Sequence, residues 1–339
     1  MKIGIIGTGR HGSRYAGHIM KDVPGMELVA ISRRSDAGLE QARKWHVRYH
    51  ADWHDLVHDP QVEAVISVTP PTVNLAIARY CAVLRKPLLV EKPLAVDSRS
   101  GAEMVALFKD ADLPLTVGQT LRYNSIIQGL RRNLANVGHL FSFSASHRLE
   151  PSSLPWLEDT ATAGAGVILH TAVHMFDALR FITGLEIRRV RASRYQIHNP
   201  NLEDLFTAQV EMADGVVGTV DSSKIGKGRT GRYEFVGLDG ELHGDQVHGR
   251  LEFIQGADIM PVSHAPLTTT IVPLLNDWLA FLKGQAANPV SGEEGLASLS
   301  VCDACLHAAR LGEWVEVASP ALCLDLFDFF SRLPRVMKF

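Results

Sequence analysis

Apolar residues are distributed along this chain in two regimes. Up to about residue 118, short unbroken apolar runs alternate with longer stretches in which apolar residues recur every three or four positions. The runs read as strands buried on both faces, the longer stretches as helices. Strands are predicted at 2–6, 28–31, 48–49, 64–68, 88–90 and 115–117, and helices from the first glycine cluster to about Met20 and over 36–45, 74–83 and 98–108. Strands and helices alternating at this spacing predict parallel βαβ units in a doubly wound sheet. Beyond residue 140 the period falls to two: Phe141 to His147 alternates apolar and polar, as do parts of Arg189 to Tyr195 and Gln209 to Met212. Tyr233 to Val236 runs into Gly237-Leu238-Asp239-Gly240-Glu241, a hairpin signal. Few helices separate these strands, so the second sheet is expected to be large and mostly antiparallel, closed by helices near 273–283 and 293–310.

Composition narrows the class. The 339 residues suffice for two cores, and 46% hydrophobic with 21% charged content is ordinary for a globular protein. A net charge of -3 gives no electrostatic reason to expect nucleic acid or an anionic membrane surface. The N-terminal apolar run meets glycine too early for a signal peptide, and no run of roughly 20 apolar residues suggests a membrane span. Cys81, Cys302, Cys305 and Cys323 are too few and scattered for a disulfide scaffold; Cys302 and Cys305 sit in a helical pattern and read as packing. A cytoplasmic location is the expectation.

Five stretches carry chemistry. Gly7-Thr8-Gly9-Arg10-His11-Gly12 follows the first strand and opens a helix, the context that the dinucleotide fingerprint G-x-G-x-x-G requires: Gly7 for the turn, Gly9 for approach to a pyrophosphate, Gly12 for helix against strand. The second strand ends in Ser32-Arg33-Arg34, where an acid would serve the ribose of NAD; two guanidinium groups suit a 2'-phosphate instead, favouring NADP(H) with NAD(H) still open. Thr69-Pro70-Pro71 makes a stiff loop beside that site. Leu88 to Pro93 puts Glu91 and Lys92 where a buried strand stops, at the end of the sheet where ligands bind in such folds, with Pro93 allowing a cis bond.

The fifth stretch runs from Gly164 to Asp177. On an α-helix, His170, His174 and Asp177 share a face, which suits packing histidines, a proton-transfer site or a metal. The H-x-x-x-H spacing lacks the glutamate of H-E-x-x-H, and no metal is expected. Arg122, Tyr123 and Trp156 are further candidates for touching a substrate.

The fingerprint, Thr69-Pro70-Pro71, Glu91-Lys92-Pro93 and Arg122-Tyr123 together resemble the glucose-fructose oxidoreductase, inositol dehydrogenase and rhizopine-catabolism family (Gfo/Idh/MocA), from residue 1 to about residue 317. The resemblance implies an α/β protein: a Rossmann domain at 1–121, a substrate-binding and oligomerisation domain at 122–317 whose sheet makes a homodimer or homotetramer, and here an apolar extension at 318–339. It further implies NAD(P)-dependent transfer of hydride to or from a hydroxyl-bearing carbon of a sugar, sugar acid, inositol or related polyol. Lys92 and His174 match the family's lysine and histidine, whereas His170 stands where most members have an aspartate. His174 is then expected to take the hydroxyl proton while Lys92 holds the oxygen, with His170 hydrogen-bonding substrate or orienting His174. A glycoside-cleaving member that oxidises and re-reduces its substrate, and a non-catalytic sensor, are the alternatives.

Overall fold

The computed structural model describes residues 1–152 and 154–332; residues 333–339 of the expected extension lie outside the described residues. The chain divides into two units, one formed by residues 1–119, 271–296 and the segment from Pro320 on, the other by 120–270 and 297–319.

The first unit is built on six parallel strands, β1 (Lys2–Ile6), β2 (Glu27–Ser32), β3 (Arg48–His50), β4 (Ala64–Ser67), β5 (Leu88–Glu91) and β6 (Leu115–Gly118). Their order is β3-β2-β1-β4-β5-β6, so the strand order reverses at β1 and places the β1 and β4 ends side by side. The strands β4, β5 and β6 are buried at every position, which is why their sequences are mostly apolar. Residues 271–296 return to this unit because they cover what the strands leave open. In the helix Ile271–Leu282, Trp278 is fully buried together with Leu274 and Leu275. Just beyond it, Ser291 bridges Thr116 on β6, the Val117 N–H donates to the Val290 carbonyl, and the Asn288 amide donates to the Leu115 carbonyl. The edge of the sheet is thereby paired. The last described helix, Pro320–Arg332, packs on the helix Ser98–Asp110 of the same unit.

The second unit carries nine strands: β7 (Leu140–Arg148), β8 (Ile187–Tyr195), β9 (Leu205–Met212), β10 (Val217–Ser223), β11 (Thr230–Gly237), β12 (Glu241–Asp245), β13 (Arg250–Gln255), β14 (Asp258–Pro261) and β15 (Val315–Glu316). Their order is β14-β13-β12-β11-β7-β10-β9-β8-β15, antiparallel except where β10 runs parallel to β7. The alternating burial of β9 and β11 shows one face on the core and one face open. A stretch at Thr160–Thr183 is long and apolar enough to cross a membrane, which a search for unbroken apolar runs does not reveal; 83% of its window is buried in the protein, as in a core helix.

Candidate active site

The three fingerprint glycines are fixed by sterics. Gly7 has φ +90°, and a Cβ there would lie 2.3 Å from the Val68 carbonyl oxygen. At Gly12 a Cβ would lie 2.1 Å from the Gly7 carbonyl oxygen, so no side chain fits between helix and turn. A Cβ at Gly9 meets nothing within 4 Å, leaving open space in front of the helix Arg10–Lys21. No side chain of Gly9 caps that helix, so its first N–H groups and positive dipole end are available to an anion. These features fit a dinucleotide pyrophosphate.

Around this loop the predicted cofactor residues take distinct positions. Thr8 is buried and its hydroxyl donates to Gln41 Oε1 at 2.8 Å. Arg33 reaches back from the end of β2 to donate to the Thr8 carbonyl at 3.1 Å, which puts its guanidinium beside the fingerprint. Ser32 is buried and its carbonyl accepts from the Gly7 N–H, while Arg10 and Arg34 are exposed. Pro70 leads into the short turn Pro71–Val73, and Thr69 donates to Asn74 Oδ1 at 3.0 Å.

Glu91 organises the end of β5. Its Oε1 accepts from the Tyr15 hydroxyl at 2.5 Å and from His11 Nε2 at 3.0 Å, and its Oε2 accepts from the Lys92 N–H at 3.1 Å. Burial alone would push the Glu91 carboxyl up, yet the hydrogen bond and charge of His11, the charge of Lys92 and the Tyr15 phenol together hold it below the usual carboxylate range. The same burial, reinforced by the carboxylate, pushes the Tyr15 phenol well above its ordinary value. Lys92 is half-buried; burial lowers its ammonium against the opposing pull of Glu91. The Lys92-Pro93 bond is cis, and Asn74 Nδ2 donates to the carbonyls of Pro93 and Leu94, tying the Thr69-Pro70-Pro71 loop to this one.

In the second unit the histidine helix departs from the shared α-helical face expected for it. Ile168–Ala172 is one turn of π-helix, in which the Val173 N–H bonds to the Ile168 carbonyl, and only then does the α-helix Val173–Thr183 begin. The wider turn rotates His170 relative to the residues that follow. His170 is buried, donates from Nε2 to the Ala163 carbonyl at 2.9 Å and meets the Trp156 ring edge to face at 5.3 Å. His174 is half-buried. Asp177 is fully buried and accepts two hydrogen bonds from Arg122, at 2.9 and 2.6 Å, and one from the Ser298 hydroxyl at 3.3 Å. Arg122 is thus engaged by Asp177, its guanidinium also lying 5.3 Å from the Phe181 ring. Tyr123 follows it, half-buried. Among the described residues no group of three or more histidines, cysteines or acids is arranged to hold a metal ion.

Three residues that tie these loops together leave little trace in the sequence. Tyr15 and Asn74 act through partners 76 and about 20 residues away, and only the spacing of Tyr15 one helical turn past His11 hints at its role. Glu203, the third, is taken up below.

Two family profiles match the chain, one described as an oxidoreductase family with an NAD-binding Rossmann fold over residues 1–119, the other as the GFO/IDH/MocA C-terminal domain over residues 134–243. Inositol 2-dehydrogenase of Rubrobacter xylanophilus is 28% identical over 343 residues, covering 94% of both chains. Myo-inositol 2-dehydrogenase of Thermotoga maritima is 29% identical over 257 residues, 73% of this chain and 76% of its own. Among solved structures, levoglucosan dehydrogenase in complex with NADH and levoglucosan shares the fold, with a TM-score of 0.84 at 21% identity over 94% of this chain and 100% of that one. Because its dinucleotide-binding half and its second-domain half both match profiles of one family, the chain belongs to the Gfo/Idh/MocA oxidoreductases.

Proposed function

We propose that the protein is a dehydrogenase or reductase that works on a hydroxyl-bearing carbon of an inositol, sugar, sugar acid or related cyclic polyol, with NADP(H) preferred to NAD(H). The observation that carries this reading is the end of β5, where Glu91 is held charged by His11, Tyr15 and the Lys92 N–H and leaves the Lys92 ammonium half-buried with a lowered pKa. A lysine so placed costs stability, and perturbed groups of this kind concentrate at functional sites.

When bound, the nicotinamide supplies the partner for hydride transfer. The remaining steps fall to this chain's residues. Backbone N–H groups at the start of the helix Arg10–Lys21 hold the pyrophosphate, and Arg33, with Arg34 beyond it, takes the ribose 2'-phosphate. His174 receives the hydroxyl proton in the oxidative direction and returns it in reduction. Lys92 donates a hydrogen bond to the same substrate oxygen and stabilises negative charge that develops there. Trp156 and Tyr123 offer aromatic surface to a polyol ring. The inositol dehydrogenases among the relatives support the polyol class. Assembly as a homodimer or homotetramer through the open face of the nine-stranded sheet is part of this reading.

The test is a fluorescence titration of cofactor-stripped protein with NADPH and NADH in parallel, followed by turnover of myo-inositol and a panel of aldoses with the tighter cofactor. Tighter binding of NADPH, weakened about tenfold or more by Arg33→Ala, is expected, as is loss of turnover in His174→Ala and Lys92→Ala. Preference for NADH would retire the phosphate role of Arg33. Near wild-type turnover in both variants would retire the proton-transfer assignment.

A further inference from the structure

The start of the histidine helix is held by one acid. Glu203 stands in the segment between β8 and β9 and is 2% exposed. Its Oε1 accepts from the Gly166 N–H at 2.8 Å and the Ile168 N–H at 3.2 Å, and its backbone carbonyl accepts from the Val167 N–H at 2.9 Å. Three successive N–H groups that a helix start leaves without an intrahelical partner are thus satisfied by a single residue. The fit is tight: a Cβ on Gly166 would lie 1.9 Å from the Glu203 carbonyl oxygen, so only glycine permits it.

Glu203 is itself anchored. Next to it, Asp204 accepts from the N–H groups of Ile197, His198 and Asn199 at 2.7, 2.7 and 2.9 Å, which fixes the loop that precedes them. Asn199 and Asn201 donate from their side chains to the carbonyls of Leu157 and Glu158, reaching the segment that carries Trp156. Behind the helix, Cys302 Sγ approaches the Ile168 carbonyl at 3.4 Å, the same carbonyl that closes the π turn. Arg194, 3.8 Å from Glu203 Oε2, is the cation that faces the acid.

We propose that Glu203 is the positioning residue of the histidine helix: by holding Gly166, Val167 and Ile168 it sets the rotation of the π turn and hence the direction of the His170 and His174 rings. The consequence for turnover rests on His174 being the proton acceptor; the positioning itself does not. What matters is a fixed oxygen acceptor at the right reach. The negative charge at the positive end of the helix adds a smaller contribution, because burial pushes the Glu203 carboxyl up and opposes its charged form.

The experiment is a long-range proton–nitrogen correlation spectrum of the full chain with labelled histidine, in wild type, Glu203→Gln, Glu203→Asp and Glu203→Ala, with His170→Asn and His174→Asn to assign the two rings. In wild type the His170 ring is expected to show the Nε2–H form that donates to Ala163. Gln keeps an acceptor at the same reach and is expected to keep both ring signals near wild type. Asp, one methylene shorter, and Ala are expected to displace or broaden both, while the NADPH dissociation constant stays within about twofold. A misplacement of this kind corresponds to about a 10²-fold loss of turnover. Should Glu203→Ala not fold, the Asp and Gln variants decide: displacement by Gln with retention in Asp would assign the role to charge and overturn the proposal, as would unmoved rings in Asp and Ala. If the rings move as expected but His174→Ala keeps its turnover, the proton-transfer reading fails and the positioning of the helix stands.

Discussion

The pair Arg122 and Asp177 shows how a residue that resembles a ligand contact can serve the frame. Asp177 is fully buried and Arg122 nearly so, and the two share a bidentate ion pair. Removing one partner of such a pair strands the other charge away from water. Arg122→Ala is therefore expected to cost about 3–5 kcal/mol in urea unfolding, whereas Arg122→Met combined with Asp177→Leu costs much less. A loss below about 1 kcal/mol for Arg122→Ala would mean that the pair does not hold the fold. At this scale, legibility depended on distance along the chain. Glu91 and Lys92 were readable because they sit next to each other at a strand end, and the glycines because their spacing is fixed by local sterics. Tyr15, Asn74 and Glu203 were not, since each matters through atoms brought to it by folding, 76, about 20 and about 36 residues away. Periodicity also gave no warning of the π turn, because a widened turn is set by what packs against the helix.

Among elements, buried parallel strands announce themselves and half-exposed ones do not. β4 and β5 are apolar up to a single polar residue at their ends, and the apolar runs 64–68 and 88–90 come close to their observed bounds. By contrast β10 reads Val-Gly-Thr-Val-Asp-Ser-Ser and β12 reads Glu-Leu-His-Gly-Asp, compositions that suggest turns; both are strands because flanking strands supply their hydrogen-bond partners. The short helices Trp53–His58 and Ser125–Asn133 went unread for a similar reason, being fixed by side-chain caps from Asp52 and Asn124 as much as by apolar spacing. On the open face of the nine-stranded sheet, Arg148 pairs with Asp221 at 2.9 Å, and Arg232, 56% exposed, lies 3.5 Å from Asp245. If two copies meet on this face about a two-fold axis, a single substitution is repeated across the contact. Arg232→Glu is then expected to lower the mass seen in sedimentation equilibrium to that of a smaller species, and an unchanged mass would remove this face as the subunit contact.

For the molecule as a whole, the first unit is not a contiguous length of chain. A fragment of residues 1–121 lacks the helix Ile271–Leu282, whose Trp278 is fully buried, and the segment that pairs with β6. Losing a buried tryptophan alone costs about 3–5 kcal/mol, a large share of the stability of a small domain. The fragment is expected to show no cooperative thermal transition and to aggregate through its open strand edge; a sharp transition with retained NADPH binding would contradict this. The covered edge also sets a timetable. The hydrogen bond between Thr116 and Asn288 spans 172 residues, so a ribosome adding 5–20 residues per second delivers the second partner roughly 10–35 s after the first. Through that interval the nascent nucleotide-binding unit waits with the outer edge of β6 unpaired, and every strand of the second unit's sheet except β15 has emerged before that edge is sealed. The unit that begins first is also the last to be completed, because the segment from Pro320 on belongs to it, whereas the second unit needs nothing beyond residue 319.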